Sequence, residues 1–417
     1  MQSPVSGPPS FYGLGIAPRL LEVLDRLRFT VPTPIQQRSI PIAIEGKDMI
    51  GVAQTGTGKT LAFGLPMVQR LAAVKGRGLV LLPTRELAIQ VDETLHQLGR
   101  SFGLRTAVLI GGASMHLQIQ QLKAKPHIIV ATPGRLNDHL QQGTAHLDQV
   151  KILVLDEADR MLDMGFAPQI NRIIGKLPSD RQTLLFSATM PREIVAIAKR
   201  TMRLPLRVEV APSGTTVEQV EHELFIVPKP DKARLLEKLL AEYRGSILVF
   251  TRTKFGAKKL TRQVKGWGHT VAELHSNRSL SQRRAALEGF KSGAYRVLIA
   301  TDIAARGIDV TGIEVVLNYD LPTQAEDYVH RIGRTARAGR RGKAVSFAQP
   351  EQQRDIHNIE RLIRLKIPVG RLPELPVGPL PGFARRGESG HGAHAWRRSP
   401  GARQFRGRRY PGRFRRR

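Results

Sequence analysis

Cysteine is absent from the 417-residue chain. Disulfides, thiolate catalysis and Cys-ligated zinc are thereby excluded. Twelve histidines are present, but no His-x₃₋₅-His pair stands with partner ligands, so no structural metal is expected. No run approaches the ~18 apolar residues that a membrane span needs. Met1–Ser10 is polar and Pro-rich, without the apolar stretch of a secretory signal. A cytoplasmic protein away from membranes is expected. Acid is scarce too: 35 Asp and Glu face 65 Lys and Arg, a net charge of +30. Solubility does not call for so one-sided a charge. A polyanion partner does, and nucleic acid is the commonest. From Pro381 to the end stand twelve Arg and one Glu, so +11 of the +30 lies in the tail.

What is present is a series of short apolar runs separated by helix-length amphipathic segments. The runs are Met49–Val52, Leu79–Leu82, His127–Ala131, Lys151–Leu155 and Thr183–Phe186, then Ser246–Phe250, Tyr295–Ala300 and Ile313–Asn318. Continuous rather than alternating apolar runs suit strands covered on both faces. Their alternation with helices predicts βαβ units, hence an α/β protein with parallel sheets. Glu209–Thr216 is small, polar and interrupted by Pro and Gly, the signature of a linker. The expected division is a first domain over 1–211, a linker over 212–216, a second domain over 217–370 and a tail over 371–417. The tail is expected to be disordered, because it has Arg, Gly and scattered aromatics but no apolar periodicity.

Between the first apolar run and a helical segment beginning at Leu61 lies Ala53-Gln54-Thr55-Gly56-Thr57-Gly58-Lys59-Thr60. A Gly-rich loop between strand and helix can curl its backbone N–H groups around phosphate oxygens, and the helix N-terminus adds positive potential. Lys59 is expected to reach the β- and γ-phosphates, and the Thr60 hydroxyl to ligate Mg²⁺. An ordinary Gly-rich turn would give the same local pattern, and Ala53 stands where the motif usually has Gly. The acidic partner favours the phosphate reading. Asp156 and Glu157 end the apolar run Lys151–Leu155, and the C-terminal edge of a parallel strand faces the ligand crevice. Asp156 can hold Mg²⁺ through its waters. Glu157 is placed to act on the attacking water as general base. Asp159 can bind Ser187-Ala188-Thr189 at the end of the next run.

Gln54–Thr60, Asp156-Glu157-Ala158-Asp159, Ser187-Ala188-Thr189 and His330-Arg331-Ile332-Gly333-Arg334-Thr335-Ala336-Arg337, in this order, resemble the DEAD-box RNA helicases of superfamily 2. Pro32–Gln36 resembles that family's Q motif, with Phe29 just before it and Phe11 upstream. Pro83–Leu87, Gly111-Gly112, Thr132–Arg135 and Ala300–Asp309 resemble further family motifs. The resemblance covers about residues 11–365, and the length and short Arg-rich tail look most like the bacterial RhlE-like branch. It implies two tandem RecA-like domains, ATP and Mg²⁺ as cofactors, and RNA as partner.

The same resemblance assigns residues. Gln36 would read the adenine edge and Phe29 stack on its face. Gln54, Thr55, Gly56, Thr57 and Gly58 would line the phosphates, and Asp309 the ribose. Arg334 and Arg337 would reach the γ-phosphate from the second domain, with His330, Ser187 and Thr189 also in the catalytic set. Arg85, Gly112, Thr132, Arg135, Arg283, Thr301 and Arg306 would contact the RNA backbone, largely without regard to sequence, on single strands and short duplexes. Two positions depart from the family pattern. Arg28 replaces a frequent Gly, and Leu280 replaces the Gln of a Gln-x-x-Arg motif.

The expected activity is RNA-stimulated ATP hydrolysis that closes the two domains, unwinds short duplexes locally and remodels ribonucleoprotein complexes. A DNA translocase of the same superfamily and a non-catalytic RNA clamp driven by the basic tail are the alternatives. In the tail, Trp396, Phe405, Tyr410 and Phe414 lie among arginines, a pattern that offers both phosphate contacts and stacking to unpaired bases.

Overall fold

A computed structural model of the chain describes residues 9–54, 56–210, 220–305, 310, 313–335 and 342–375. Thr55, Arg306, Asp309 and Arg337, the whole expected linker and residues 376–417 of the tail lie outside them. The described residues form two parallel sheets. The first is built from β1 (Met49–Val52), β2 (Arg77–Leu81), β3 (Thr106–Leu109), β4 (Ile128–Ala131), β5 (Val150–Leu155), β6 (Gln182–Ser187) and β7 (Leu206–Glu209), in the order β3-β4-β2-β5-β6-β1-β7. The second contains β8 (Val220–Ile226), β9 (Ile247–Phe250), β10 (Val271–Leu274), β11 (Val297–Ala300), β12 (Val315–Asn318) and β13 (Gly342–Ala348), in the order β10-β11-β9-β12-β13-β8. Both are wound as RecA-like domains.

The apolar runs are continuous because helices cover both faces of each sheet. Along β4 every residue is buried, yet Ile128 and Val130 join one apolar cluster while Ile129 and Ala131 join the other. On the first face pack helices Pro34–Ile44, Lys59–Ala73 and Arg85–Gly99. On the second pack Ala167–Ile174 and Arg192–Thr201. Burying a Leu, Ile or Phe side chain contributes about 1.5–3 kcal/mol, so these two layers hold the sheet between them. At Gly51 in β1 an added Cβ would lie 2.6 Å from the Phe186 ring. The strand that feeds the phosphate loop is thus seated against β6 by a close approach that only glycine permits.

The strand order sorts the motifs along one edge. The loops after β5, β6 and β1, which are neighbours, carry Asp156-Glu157, Ser187–Thr189 and the phosphate loop. The loops after β3, β4 and β2, also neighbours, carry Gly111-Gly112, Thr132–Arg135 and Thr84-Arg85. The two groups meet where β2 pairs with β5. A nucleotide group and a second group therefore lie side by side at the C-terminal ends of one sheet, where parallel sheets bind ligands.

Candidate functional site

The phosphate loop is held open by its glycines and tied down at several points. Gly56 and Gly58 have φ of +89° and +83°, a region that glycine enters without steric cost. Thr33 Oγ1 donates to the Thr57 carbonyl at 2.7 Å, and Thr57 Oγ1 to the Gln54 carbonyl at 2.8 Å. Lys59 and Thr60 open the helix that follows, so both side chains stand at its positive end. Lys59 is buried, donates to the Ala53 carbonyl at 3.1 Å and lies 3.9 Å from Asp156 Oδ1.

Gln36 stands beside this loop, 3% exposed. Its Oε1 accepts from Thr33 N at 2.8 Å, which closes a capping box on helix Pro34–Ile44. Its Nε2 donates to the Gly58 carbonyl at 2.9 Å. An amide has two donor and two acceptor positions, so one of each remains. Phe29 is 41% exposed, as a stacking platform must be. Just before it, Arg28 has φ +60°. Glycine, frequent there in the resembled family, takes that conformation freely, whereas Arg28 adopts it at a cost.

Asp156, Glu157 and Asp159 are all buried. Asp159 does what its spacing suggested. Its Oδ2 accepts from Ala188 N at 3.0 Å, Thr189 N at 2.9 Å and Thr189 Oγ1 at 3.0 Å, while Ser187 Oγ accepts from Asp159 N at 3.2 Å. The two carboxyls before it diverge. Burial pushes the Asp156 carboxyl up to about 6, with Lys59 opposing and Glu157 adding to the rise. Burial also acts to raise Glu157, but Arg160, Lys59, Arg334 and His330 together outweigh it and hold the carboxyl down at about 2. Glu157 thus stays ionised beside cations from both domains. Its backbone has φ +51°, uncommon for a residue with a side chain.

Across the seam, His330 and Arg331 lie on helix Ala325–Ile332, with Arg334 just beyond it. Arg331, which sequence reasoning assigned no role, is its anchor. Arg331 Nε and Nη2 grip Asp302 at 2.6 and 2.8 Å, and Nη1 donates to Asn318 Oδ1 at 3.0 Å and the Asp320 carbonyl at 2.7 Å. The guanidinium also lies 4.9 Å from the Phe250 ring centroid. One arginine therefore ties the helix to the ends of β9, β11 and β12, and so sets where Arg334 stands.

The second group converges around the end of β3. Arg85 packs against Gly111 and Gly112, whose φ is +78°. Arg135 Nη1 donates to the Ala113 carbonyl at 3.3 Å, and Thr132 N donates to Leu109 O at 3.0 Å. Thr301 follows β11 in the other domain. Arg283 is placed apart from these residues. It is buried in the seam, and its Nη2 lies 2.9 Å from Glu86 Oε2 of the first domain, with side-chain exposures of 9% and 6%. Burial lowers the Arg283 pKa, opposed by Glu86. Leu280, one turn earlier, packs against the first domain's apolar core. The departure from Gln places an apolar contact in the seam. Glu86 and Arg331 lie inside stretches the sequence marks as motifs, but their roles, and that of Arg160, come from burial beside a partner distant in sequence or across a helical turn.

Known proteins resemble this chain throughout both domains. Residues 33–197 match the profile of the DEAD/DEAH box helicase family, and residues 231–339 that of the helicase conserved C-terminal domain. The chain is 43% identical over 379 residues to the ATP-dependent rRNA helicase RRP3 of Debaryomyces hansenii, spanning 90% of this chain and 78% of that one. It is 42% identical over 369 residues to the DEAD-box ATP-dependent RNA helicase CshA of Geobacillus kaustophilus, spanning 88% and 79%. Among solved structures it is similar to S. cerevisiae Dbp5 bound to RNA and ADP BeF3, with a TM-score of 0.76, 33% identity and coverage of 87% and 95%. It is also similar to Mss116p bound to ssRNA and AMP-PNP, with a TM-score of 0.79, 26% identity and coverage of 88% and 80%.

Proposed function

The chain belongs to the DEAD-box family of ATP-dependent RNA helicases, and from that membership we propose how its residues divide the work. It binds nucleotide and RNA and hydrolyses ATP. The observation that carries the division is the company around Glu157: Lys59 from its own domain, and His330 and Arg334 from the other. No single domain holds that set, so hydrolysis requires closure.

The residues fit a magnesium–nucleotide ligand. Thr60 and Asp156 offer only oxygen donors, which suits Mg²⁺. Among the described residues no group of three or more His, Cys, Asp or Glu forms a metal cage. An ion held there would take its remaining ligands from phosphates and water, as Mg²⁺ commonly does. When bound, Mg²⁺ neutralises charge on the β- and γ-phosphates. Loop N–H groups from Gln54 to Gly58 and the Lys59 ammonium hold the phosphates. The unused donor and acceptor of Gln36 match the N7 and N6 edge of adenine, Phe29 stacks on its ring, and Asp309 serves the ribose. Glu157 accepts a hydrogen bond from the attacking water. The water oxygen bonds to the γ-phosphorus as the bond to the bridging oxygen breaks, ADP leaves with that electron pair, and the proton of the water passes to the Glu157 carboxylate. Arg334 and Arg337 stabilise the charge that moves to the leaving oxygen, with His330 beside them.

Arg85, Gly112, Thr132 and Arg135, with Thr301 and Arg306, bind the backbone of single-stranded RNA across the closed seam. Arg283 acts there through Glu86, locking closure. The cycle opens short duplexes locally and remodels ribonucleoprotein complexes in the cytoplasm. Strand separation on matched RNA and DNA duplexes, with ATP or GTP, tests this reading. RNA unwinding fuelled by ATP is expected. Equal unwinding of DNA, or hydrolysis indifferent to RNA, overturns it.

A further inference from the structure

Among the described residues, Arg160 is the bulkiest of the fully buried side chains, 1% exposed. It stands one turn after Glu157 on helix Ala158–Asp163, and its Nη1 donates to Glu157 Oε2 at 2.9 Å. Arg160 Nη2 is buried and has no hydrogen-bond partner among the described residues. Leaving such a donor unpaired is costly, so its retention calls for a use. Arg160 also lines a small gap between the domains, with Phe250, Asp302, Asp327, His330 and Arg334 on the other side. The gap measures about 10 Å³, room for roughly one water molecule.

We propose that Arg160 is a positioning residue for hydrolysis. It pins Oε2 of Glu157 and so fixes the direction in which the carboxylate meets the attacking water. Arg160 also lines the small gap toward the second domain, within reach of a single bridging water. The Arg160 pair holds one of the two carboxylate oxygens of Glu157 in place. A guanidinium suits this task because its rigid plane fixes the direction of the contact, which a freely rotating ammonium does not.

The inference rests on Glu157 acting on the water, so the test separates the two claims. Arg160→Met, Arg160→Lys and Glu157→Gln, with the double variant Arg160→Met/Glu157→Gln, are assayed for RNA-stimulated hydrolysis at saturating ATP and in single turnovers. Arg160→Met is expected to lower kcat about 10²-fold, the order of loss that a misplaced catalytic group produces, with KM for ATP nearly unchanged. Arg160→Lys is expected to recover part of the loss. In the Glu157→Gln background Arg160→Met should cost less than about twofold, because residues that act as a unit are non-additive. Full kcat in Arg160→Met, or the same loss in both backgrounds, overturns the proposal. Near-normal turnover by Glu157→Gln overturns the reading of Glu157 instead. Should Arg160→Met fail to bind ATP, Arg160→Lys decides alone: lowered kcat at unchanged KM supports the proposal, and unchanged kcat overturns it.

Discussion

Removing the cation from the Arg283–Glu86 pair should weaken domain closure without unfolding either domain. Arg283→Met keeps most of the length and the apolar stem of the side chain and deletes its charge. The pair is buried in the seam, 2.9 Å apart, with side-chain exposures of 9% and 6%. Breaking a buried pair by removing one partner costs about 3–5 kcal/mol, because the remaining charge stays desolvated. Here the geometry is less than ideal, since the approach does not line up as a hydrogen bond at either Glu86 oxygen. The lower end, about 3 kcal/mol, is the better figure, a factor of roughly 150 in an equilibrium. Each partner sits on its own domain, so opening the seam returns Glu86 to water and relieves the cost. The penalty therefore falls on closure. The RNA concentration for half-maximal ATPase should rise by up to that factor, while the thermal midpoint moves little. Arg283→Met with Glu86→Met should recover much of it. If Arg283 instead touches RNA directly, the second substitution rescues nothing. That result, or an unchanged RNA dependence in Arg283→Met, refutes the seam argument.

Three other outcomes are expected. Glu157→Gln should lower kcat by ~10²–10⁴ through removal of the base, while ATP-dependent RNA binding measured by fluorescence anisotropy persists. Gln36→Ala should narrow the ratio of ATP to GTP turnover, since a buried amide facing the wrong base edge costs roughly 1–3 kcal/mol. The same change removes half of a capping box and should lower stability by about 1 kcal/mol in denaturant unfolding. Deleting Pro381–Arg417, which carries twelve arginines, should weaken RNA binding alike across sequences and leave kcat intact at saturating RNA. The slope of log K against log salt should become shallower by about 0.7 for each phosphate that the tail had neutralised.

The parallel-sheet core was legible because burial on both faces leaves a run with no alternation to misread. Met49–Val52 is the strand the sequence suggests, and Lys151–Leu155 differs from β5 by one residue. The edge strands were not legible. In β8 buried and exposed residues largely alternate, and β7 has a single buried residue, Val208, so neither forms a continuous apolar run. Val271–Leu274 hides as β10 because Glu273 sits in it, buried beside His275 at 3.3 Å. In the site, the phosphate loop and Asp156-Glu157 could be read because backbone geometry confines them to short, ordered stretches. The roles of Arg160, Glu86 and Arg331 could not, although Glu86 and Arg331 fall within motif stretches. Their charges look like any solvated arginine or glutamate until folding buries them against Glu157, Arg283 and Asp302.

The central claim is that the second domain completes the active site of the first, and Arg334→Ala tests it most directly. ATP affinity of the free protein, read with a fluorescent analogue, and RNA-stimulated kcat are measured on the same preparation. Arginine fingers in related phosphoryl transfers contribute about 10³–10⁵ to kcat. A fall of that order with ATP affinity held within about twofold is the predicted result. Turnover near that of the unaltered protein, or a drop in ATP affinity that accounts for the whole defect, would contradict a site divided between two domains.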